Sequence, residues 1–330
     1  MLSIKQTIQI SVCIPVYNTE PYLEKCLQSI ANQDFHGSVE VLVVSDASSG
    51  HDELGRNAEK IVKQFKKDLS IRYLENSHNL ALVETRRRLV NEARGTYIFM
   101  LDSDDFLPEY SLSRLYQAAK EYDADIVQGD CITLDKDGNK HIESLNEFHP
   151  VLEVIEGKSV FDDCFCNEKY RAVVTARLIR RSIYLRAFSQ IPYIRVHMAE
   201  EVIQYFFIAL YSNRYVGIKD PVYFYRIGTG ITTKSISDLE EWRKVCSTAS
   251  VITAIYSWID EKTTEDGICP LDSNELNAIK KCAKFYCINN VKQLKSHVIP
   301  ELYNEAHSML CAYWGNEAIR NTETFLAIKK

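Results

Sequence analysis

The sequence predicts an α/β fold, a mostly parallel sheet wrapped by helices and followed by a helical C-terminal appendage. Three observations predict it. Through the first 130 residues, short apolar runs alternate with stretches of helical spacing and brief connections. One run, Tyr97-Ile98-Phe99-Met100-Leu101, ends directly in Asp102-Ser103-Asp104-Asp105, as a buried parallel strand does when it delivers polar groups to the ligand-binding edge of an open sheet. Beyond about residue 237, apolar residues recur at spacings of three and four.

Taken in order, Ile10–Val16 reads as a first strand, and Tyr22, Leu23, Cys26, Leu27 and Ile30 mark the helix after it. Val39–Val44 is a second buried strand, followed by a charged helix over 52–67 and a short strand at Ile71–Leu74. A helix over 82–93 ends at Gly95 and leads into the acidic strand. Right-handed βαβ connections fit that order. From 135 to 200 the pattern loosens, with a turn at Asp135-Lys136-Asp137-Gly138-Asn139 and a strand-like piece at 172–179. Val222–Arg226 is a further strand after Asp220-Pro221, and Gly228-Thr229-Gly230 breaks it. Trp242, Val245, Ala249, Ile252, Tyr256 and Ile259 form one apolar helical seam, and Leu276, Ile279, Ala283, Tyr286 and Leu294 a second. Such seams are core or subunit contacts, and Lys280, Lys281 and Lys284 leave peripheral membrane contact open.

Composition bounds the function. A net charge of −6 over 330 residues gives no global argument for nucleic acid or an anionic membrane, so any phosphate binding is local. The ten cysteines include no Cys-X-X-Cys pair, and several occupy apolar helical positions, as free buried thiols do. A reducing, cytoplasmic setting follows, at most peripheral to the inner face of the cell membrane. No targeting or membrane-spanning segment is visible.

The chemistry concentrates at strand ends. The first strand ends in Pro15-Val16-Tyr17-Asn18, the second in Ser45-Asp46 and the fourth in Asp102-Ser103-Asp104, with Asn79, Glu84 and Arg86-Arg87-Arg88 between the last two. Carboxylates packed this closely are easiest to keep ionised around a divalent cation, and Mg²⁺ or Mn²⁺ takes one or two carboxylates with substrate phosphates completing its shell. A turn that caps the next helix would use the same residues. An aromatic ring, acids and an arginine together suit a nucleoside diphosphate.

Ile10-Ser11-Val12-Cys13-Ile14-Pro15-Val16-Tyr17-Asn18, Val43-Val44-Ser45-Asp46-Ala47-Ser48, Asn79 with Arg86, Ala93-Arg94-Gly95-Thr96-Tyr97-Ile98 and Leu101-Asp102-Ser103-Asp104-Asp105 resemble, in order and spacing, the motifs of the family 2 glycosyltransferases, inverting enzymes with the GT-A fold. Ala199-Glu200-Glu201 is similar to that family's Glu-Asp motif, and Pro221-Val222-Tyr223-Phe224-Tyr225-Arg226 to its later aromatic strand. The resemblance covers residues 8–232 and implies a glycosyltransferase domain over 1–236, with a nucleotide-binding half at 8–130 and an acceptor half at 131–236, before the helical region 237–330. It implies a UDP-sugar donor and a hydroxyl of a glycan or glycolipid as acceptor, in lipopolysaccharide, capsule or other surface-polysaccharide synthesis. Tyr17 and Asp46 would hold the uracil and Pro15 would shape the strand end beneath it. Asn18, Asn79 and Ser103 would complete the nucleotide-sugar site. Arg86 would lie near the phosphates, Asp102 would contact the ribose, and Asp104 would bind Mn²⁺ or Mg²⁺. Glu201, or Glu200 beside it, would be the general base.

Three positions depart from the family pattern. Ala47 and Ala81 stand where glycine is usual, each adding one methyl group that tightens a loop, and Glu201 replaces aspartate. The extra methylene moves the base by about 1 Å, a scale on which catalysis is sensitive. An acidic first helical turn would equally account for Glu200 and Glu201. His197, Tyr223, Tyr225 and Arg226 are candidate acceptor contacts; aromatic packing would also explain the tyrosines. A non-catalytic nucleotide- or glycan-binding family member and a sugar-1-phosphate nucleotidyltransferase are the alternatives. The second needs a glycine-rich phosphate loop, which Tyr17-Asn18-Thr19-Glu20-Pro21 does not provide.

Overall fold

A computed structural model describes residues 7–135, 139–141, 148–227 and 235–328. The middle of the turn expected at 135–139, residues 136–138, and the glycines 228 and 230 expected to end the strand pattern lie outside the described residues. The chain divides into two compact units, Met1–Gln190 with Gln204–Thr229, and Ile191–Ile203 with Gly230–Lys330.

In the first unit, strand and helix alternate as β1 (Ile10–Val16), α1 (Glu20–Ala31), β2 (Val39–Ser45), α2 (Ala58–Gln64), β3 (Ile71–Glu75), α3 (Leu82–Glu92), β4 (Tyr97–Met100) and α4 (Ser111–Glu121). There follow β5 (Ile126–Leu134), β6 (Lys140–His141), β7 (Val154–Glu156), α5 (Ser159–Phe165), β8 (Arg177–Arg180), α6 (Arg181–Gln190), α7 (Glu200–Tyr211), whose residues up to Ile203 count with the second unit, and β9 (Arg214–Arg226). The described strands form one sheet in the order β3-β2-β1-β4-β8-β5-β9-β7, with β6 paired to β5. The first four are parallel, and β8 is antiparallel to both β4 and β5.

Right-handed crossovers fix which helix covers which face. The chain steps outward from β1 to β3 and then returns past both to β4, so α1 and α2 lie on one face and α3 on the other. Buried side chains agree: Leu23, Cys26 and Leu27 of α1, Ile61 and Val62 of α2, and Leu112 and Leu115 of α4 share one core with Ile10, Val12, Ile14 and Val16. Val83, Leu89 and Val90 of α3 are buried outside that core.

Pro15 is tolerated in a central strand because its partner in β4 has already ended: that register stops at Cys13 opposite Met100. At the opposite edge of the sheet, the buried Glu40 carboxylate accepts from Ser11 Oγ and from Arg94 N, both at 2.6 Å. Ser11 Oγ in turn accepts from Gly95 N at 2.8 Å. A β-carbon at Gly95 would lie 2.5 Å from Ser11 N, so the Ala-Arg-Gly stretch answers to strand packing.

Three elements of the first unit differ from expectation for local reasons. The charged helix starts at Ala58 because Asp52 folds its carboxylate onto Leu54 N (3.0 Å) and Arg56 N (2.7 Å), while Asn57 caps the helix by accepting from Lys60 N. β9 starts at Arg214 and runs through Pro221, which sits opposite Asp130 where the register with β5 shifts. The strand-like piece 172–179 becomes a loop up to Ala176. There the guanidinium of buried Arg177 donates to the carbonyls of Val173 and Arg171 and to Gln128 Oε1.

In the second unit, the expected single seam is split into α8 (Leu239–Cys246) and α9 (Thr248–Asp266). Ser247 Oγ and Thr248 Oγ1 bond back to the carbonyls of Lys244 and Val245 and compete with helix continuation. Next come α10 (Ser273–His297), α11 (Tyr303–Trp314) and α12 (Asn316–Ile328). Trp242, Val291, Leu294, Ala306, Leu310 and Ile319 close their core, and Trp242 Nε1 donates to Ala306 O at 2.8 Å. Among the described residues no helix is long and apolar enough to cross a membrane.

α10 begins with a capping box, Asp272 accepting from Asn274 N and Glu275 N while Glu275 accepts from Asp272 N. Asp272→Ala is expected to lower stability by about 1 kcal/mol, measured as a fall in the urea midpoint at unchanged slope.

Candidate active site

The acidic turn lies where β4 emerges beside β1. Leu101 N still donates to Cys13 O at 3.0 Å, so the sheet carries Asp102 to its carboxyl edge. The three aspartates then have different surroundings. Asp102 is half-buried and accepts from Arg86 Nη2 at 3.0 Å, and that arginine, on α3, is itself buried. Asp105 is buried and accepts from Tyr223 Oη at 2.9 Å and Arg226 N at 2.8 Å. Asp104 is half-buried, and its main-chain oxygen accepts from Arg226 Nε at 2.7 Å. Ser103 is buried, its hydroxyl 2.6 Å from that of Thr19.

Tyr223 is fully buried, and its hydroxyl also accepts from Asp102 N at 3.2 Å. It therefore supports the acidic turn from beneath and offers no surface to an acceptor. Tyr225 packs against Phe148, with ring centroids 4.9 Å apart. Burial first, then the charges of Asp104 and Asp102, push the Asp105 carboxyl up to about 9.

That electrostatic load is a test of the implied metal. Among the described residues no three His, Cys, Asp or Glu side chains converge as a protein-only metal cage. With Asp102 on Arg86 and Asp105 on Tyr223, the turn offers the short carboxylate set that Mg²⁺ or Mn²⁺ uses when substrate phosphates complete the shell. The residues present fit such an ion.

Two further strand ends form the adjoining loops. Tyr17 follows β1 and is 52% exposed, so it is an available ring and no part of the core. Asp46 follows β2 and is buried, with Oδ1 accepting from Asn76 Nδ2 (2.7 Å) and Leu80 N (2.8 Å) and Oδ2 from Ala81 N (3.0 Å). Asn79 Nδ2 lies 3.5 Å from Asp46 O. Asp46 therefore shapes the loop entering α3, and among the described residues Oδ2 keeps room for one more donor.

The two alanines at glycine positions both adopt left-handed backbone, Ala47 at φ 53° and Ala81 at φ 67° with ψ 170°. The second conformation is one that glycine adopts almost alone. The methyl groups therefore strain these loops as well as tightening them. Asn18, at φ 56°, suits its conformation better.

His197, Glu200 and Glu201 belong to the second unit. Glu200 and Glu201 open α7, half-buried at its N-terminal turn, where the helix dipole favours carboxylates. Ala199 before them is at φ 60°. His197 N donates to Ser247 Oγ at 3.1 Å.

Sequence reasoning passed over Glu20. It is buried, and its Oε1 accepts from Ser48 Oγ at 2.6 Å, while Ser48 Oγ accepts from Asn18 N at 2.8 Å. This chain of bonds ties the loop that carries Tyr17 to the loop that carries Asp46. Its signal was an acid at the first helical turn beside Pro21, which reads as ordinary capping. Asn76, the partner of Asp46, was overlooked in favour of Asn79.

A family model described as "Glycosyl transferase family 2" matches residues 11–186, more than half of the chain. The chain is 28% identical to glycosyltransferase GlyA of Streptococcus pneumoniae over 224 residues, 67% of this chain and 31% of that protein. It is 27% identical to GlyG of the same organism over 241 residues, 72% of this chain and 76% of that one. Thus it spans under a third of the first relative's length and three quarters of the second's. In structure it is similar to S. aureus TarS 1–349 in complex with UDP-GlcNAc, with a TM-score of 0.59, 16% identity and coverage of 98% of this chain and 93% of that one.

Ala81→Gly is expected to stabilise the protein. Relief of about 1–3 kcal/mol of strain exceeds the 0.4–1 kcal/mol that glycine costs through the unfolded chain, for a net gain of about 1 kcal/mol in urea unfolding.

Proposed function

This chain belongs to glycosyl transferase family 2, and on that premise we propose that it moves a sugar from a UDP-sugar to a hydroxyl of a glycan or glycolipid in surface-polysaccharide synthesis, inverting the anomeric centre. One observation carries the reading: Tyr17, Asp46 and the Asp102–Asp104 turn stand at the carboxyl ends of β1, β2 and β4, where an open α/β sheet receives a nucleotide.

Each residue has a physical role in this reading. The exposed Tyr17 ring covers one face of uracil, and the open lone pair of Asp46 Oδ2 takes the base N–H. Asp102, oriented by Arg86, meets the ribose, while Asn18, Asn79 and Ser103 fix the loops around it. Asp104 would hold Mn²⁺ or Mg²⁺, and when bound that ion would offset charge on the diphosphate. Arg86, buried and always charged, adds a fixed positive potential where the leaving UDP gathers charge. Glu201, or Glu200 beside it, removes the proton from the acceptor hydroxyl as that oxygen bonds to the anomeric carbon and the bond to UDP breaks. One displacement from an α-linked donor gives a β-glycoside.

Calorimetric titration of UDP with Mn²⁺, repeated with excess chelator and with GDP and CDP, tests the donor site. Metal-dependent binding selective for UDP is expected; no binding, or equal binding of all three nucleotides, would overturn the assignments of Tyr17, Asp46 and Asp104 together. Asp104→Ala is expected to lower UDP release in a donor-acceptor assay by about 10²–10³-fold, the scale of losing one electrostatic contact to the transition state. Wild-type protein that releases no UDP with any donor and acceptor would instead support a non-catalytic binder.

A further inference from the structure

Among the described residues, two cations stand beside the acidic turn without a carboxylate of their own. Lys25, exposed on the second turn of α1, places Nζ 3.9 Å from the centroid of the Phe106 ring. Arg226, at the end of β9, places its guanidinium carbon 5.3 Å from the same centroid and 5.0 Å from that of Tyr22. Phe106 is held in place by stacking on Phe224, with centroids 4.7 Å apart, and by main-chain bonds in both directions between the two residues. Arg226 Nε donates to Asp104 O at 2.7 Å. Among the described residues, neither Lys25 nor Arg226 forms an ion pair. Partial burial and the charge of Arg226 lower the Lys25 ammonium below its usual range. Like charges brought together on an aromatic platform are relieved by an anion.

Lys25 and the cation assigned to the donor approach from opposite faces of the sheet. Arg86 reaches Asp102 from α3, whereas Lys25 comes from α1, on the opposite face of the sheet. We propose that Lys25 and Arg226 form a second anion subsite, which takes a phosphate ester carried by the acceptor. The guanidinium offers paired N–H donors to two phosphate oxygens and the ammonium adds a point charge. The assignment of that phosphate to the acceptor rests on the donor reading above.

Saturation-transfer NMR on the full chain tests this, with sn-glycerol 3-phosphate as probe, glycerol as neutral control, and each run repeated under saturating UDP and Mg²⁺. Glycerol phosphate is expected to bind in both conditions and glycerol in neither. Lys25→Gln, an exposed change that relieves repulsion and should leave melting unaltered, is expected to weaken glycerol phosphate about tenfold and leave the UDP affinity within about twofold of wild type. Displacement of the probe by UDP, an equal loss of UDP affinity in the variant, no binding, or undiminished binding by the variant would each overturn the proposal. Probe binding through Lys25 in a wild-type protein that binds no UDP would sink the donor reading while supporting the anion subsite.

Discussion

The site depends on how three aspartates are kept within four residues at a sheet edge. Two unit charges about 5 Å apart repel by about 3 kcal/mol at an effective dielectric of 20, so a turn with three ionised, unpartnered acids would not hold its shape. The chain gives each acid a different environment. Asp102 faces a buried arginine, Asp105 is buried against a tyrosine hydroxyl and a main-chain amide with its carboxyl raised to about 9, and Asp104 stays half-exposed between them. Negative charge is thereby concentrated on the side chains that face outward.

Three further buried acids of the first unit organise its loops. Glu40 binds the turn before β4, Asp46 the entry to α3, and Glu20, through Ser48, the loop after β1. Their hydrogen bonds offset the penalty that burial places on a carboxylate. The consequence is positional: the loops after β1 and β2 and the one entering α3 are bonded to one another, so Tyr17, Asp46 and Asn79 belong to one connected framework.

Most of this framework's outline was legible in the sequence. Strands β1 to β4 and their helices follow from apolar periodicity, and acids at the ends of apolar runs pointed to the sheet's carboxyl edge. Long-range pairing was not legible. Tyr223 reads as one more aromatic in a strand until its hydroxyl is found on Asp105, 118 residues away, and Lys25 reads as a solvated helix residue until β9 brings Arg226 to the same ring. Local chemistry also overrode periodicity where Asp52 shortened α2 and where Ser247 and Thr248 divided the seam.

The alanines at 47 and 81 show which constraint governs the loops. A chain free to relax would move both residues out of left-handed conformations, because the added methyl group makes those conformations costly. Ala81 is held there by its own amide, which donates to Asp46 Oδ2, and the neighbouring Leu80 amide is fixed on Oδ1. Rotating residue 81 into an ordinary extended or helical backbone would turn these donors away from a buried carboxylate and leave it unsatisfied, at about 1–3 kcal/mol or more for a charged group. The strain is of similar size to the cost of releasing it. The glycine-like path therefore persists without glycine because the buried charge of Asp46, and not the flexibility of residue 81, sets the shape of the loop.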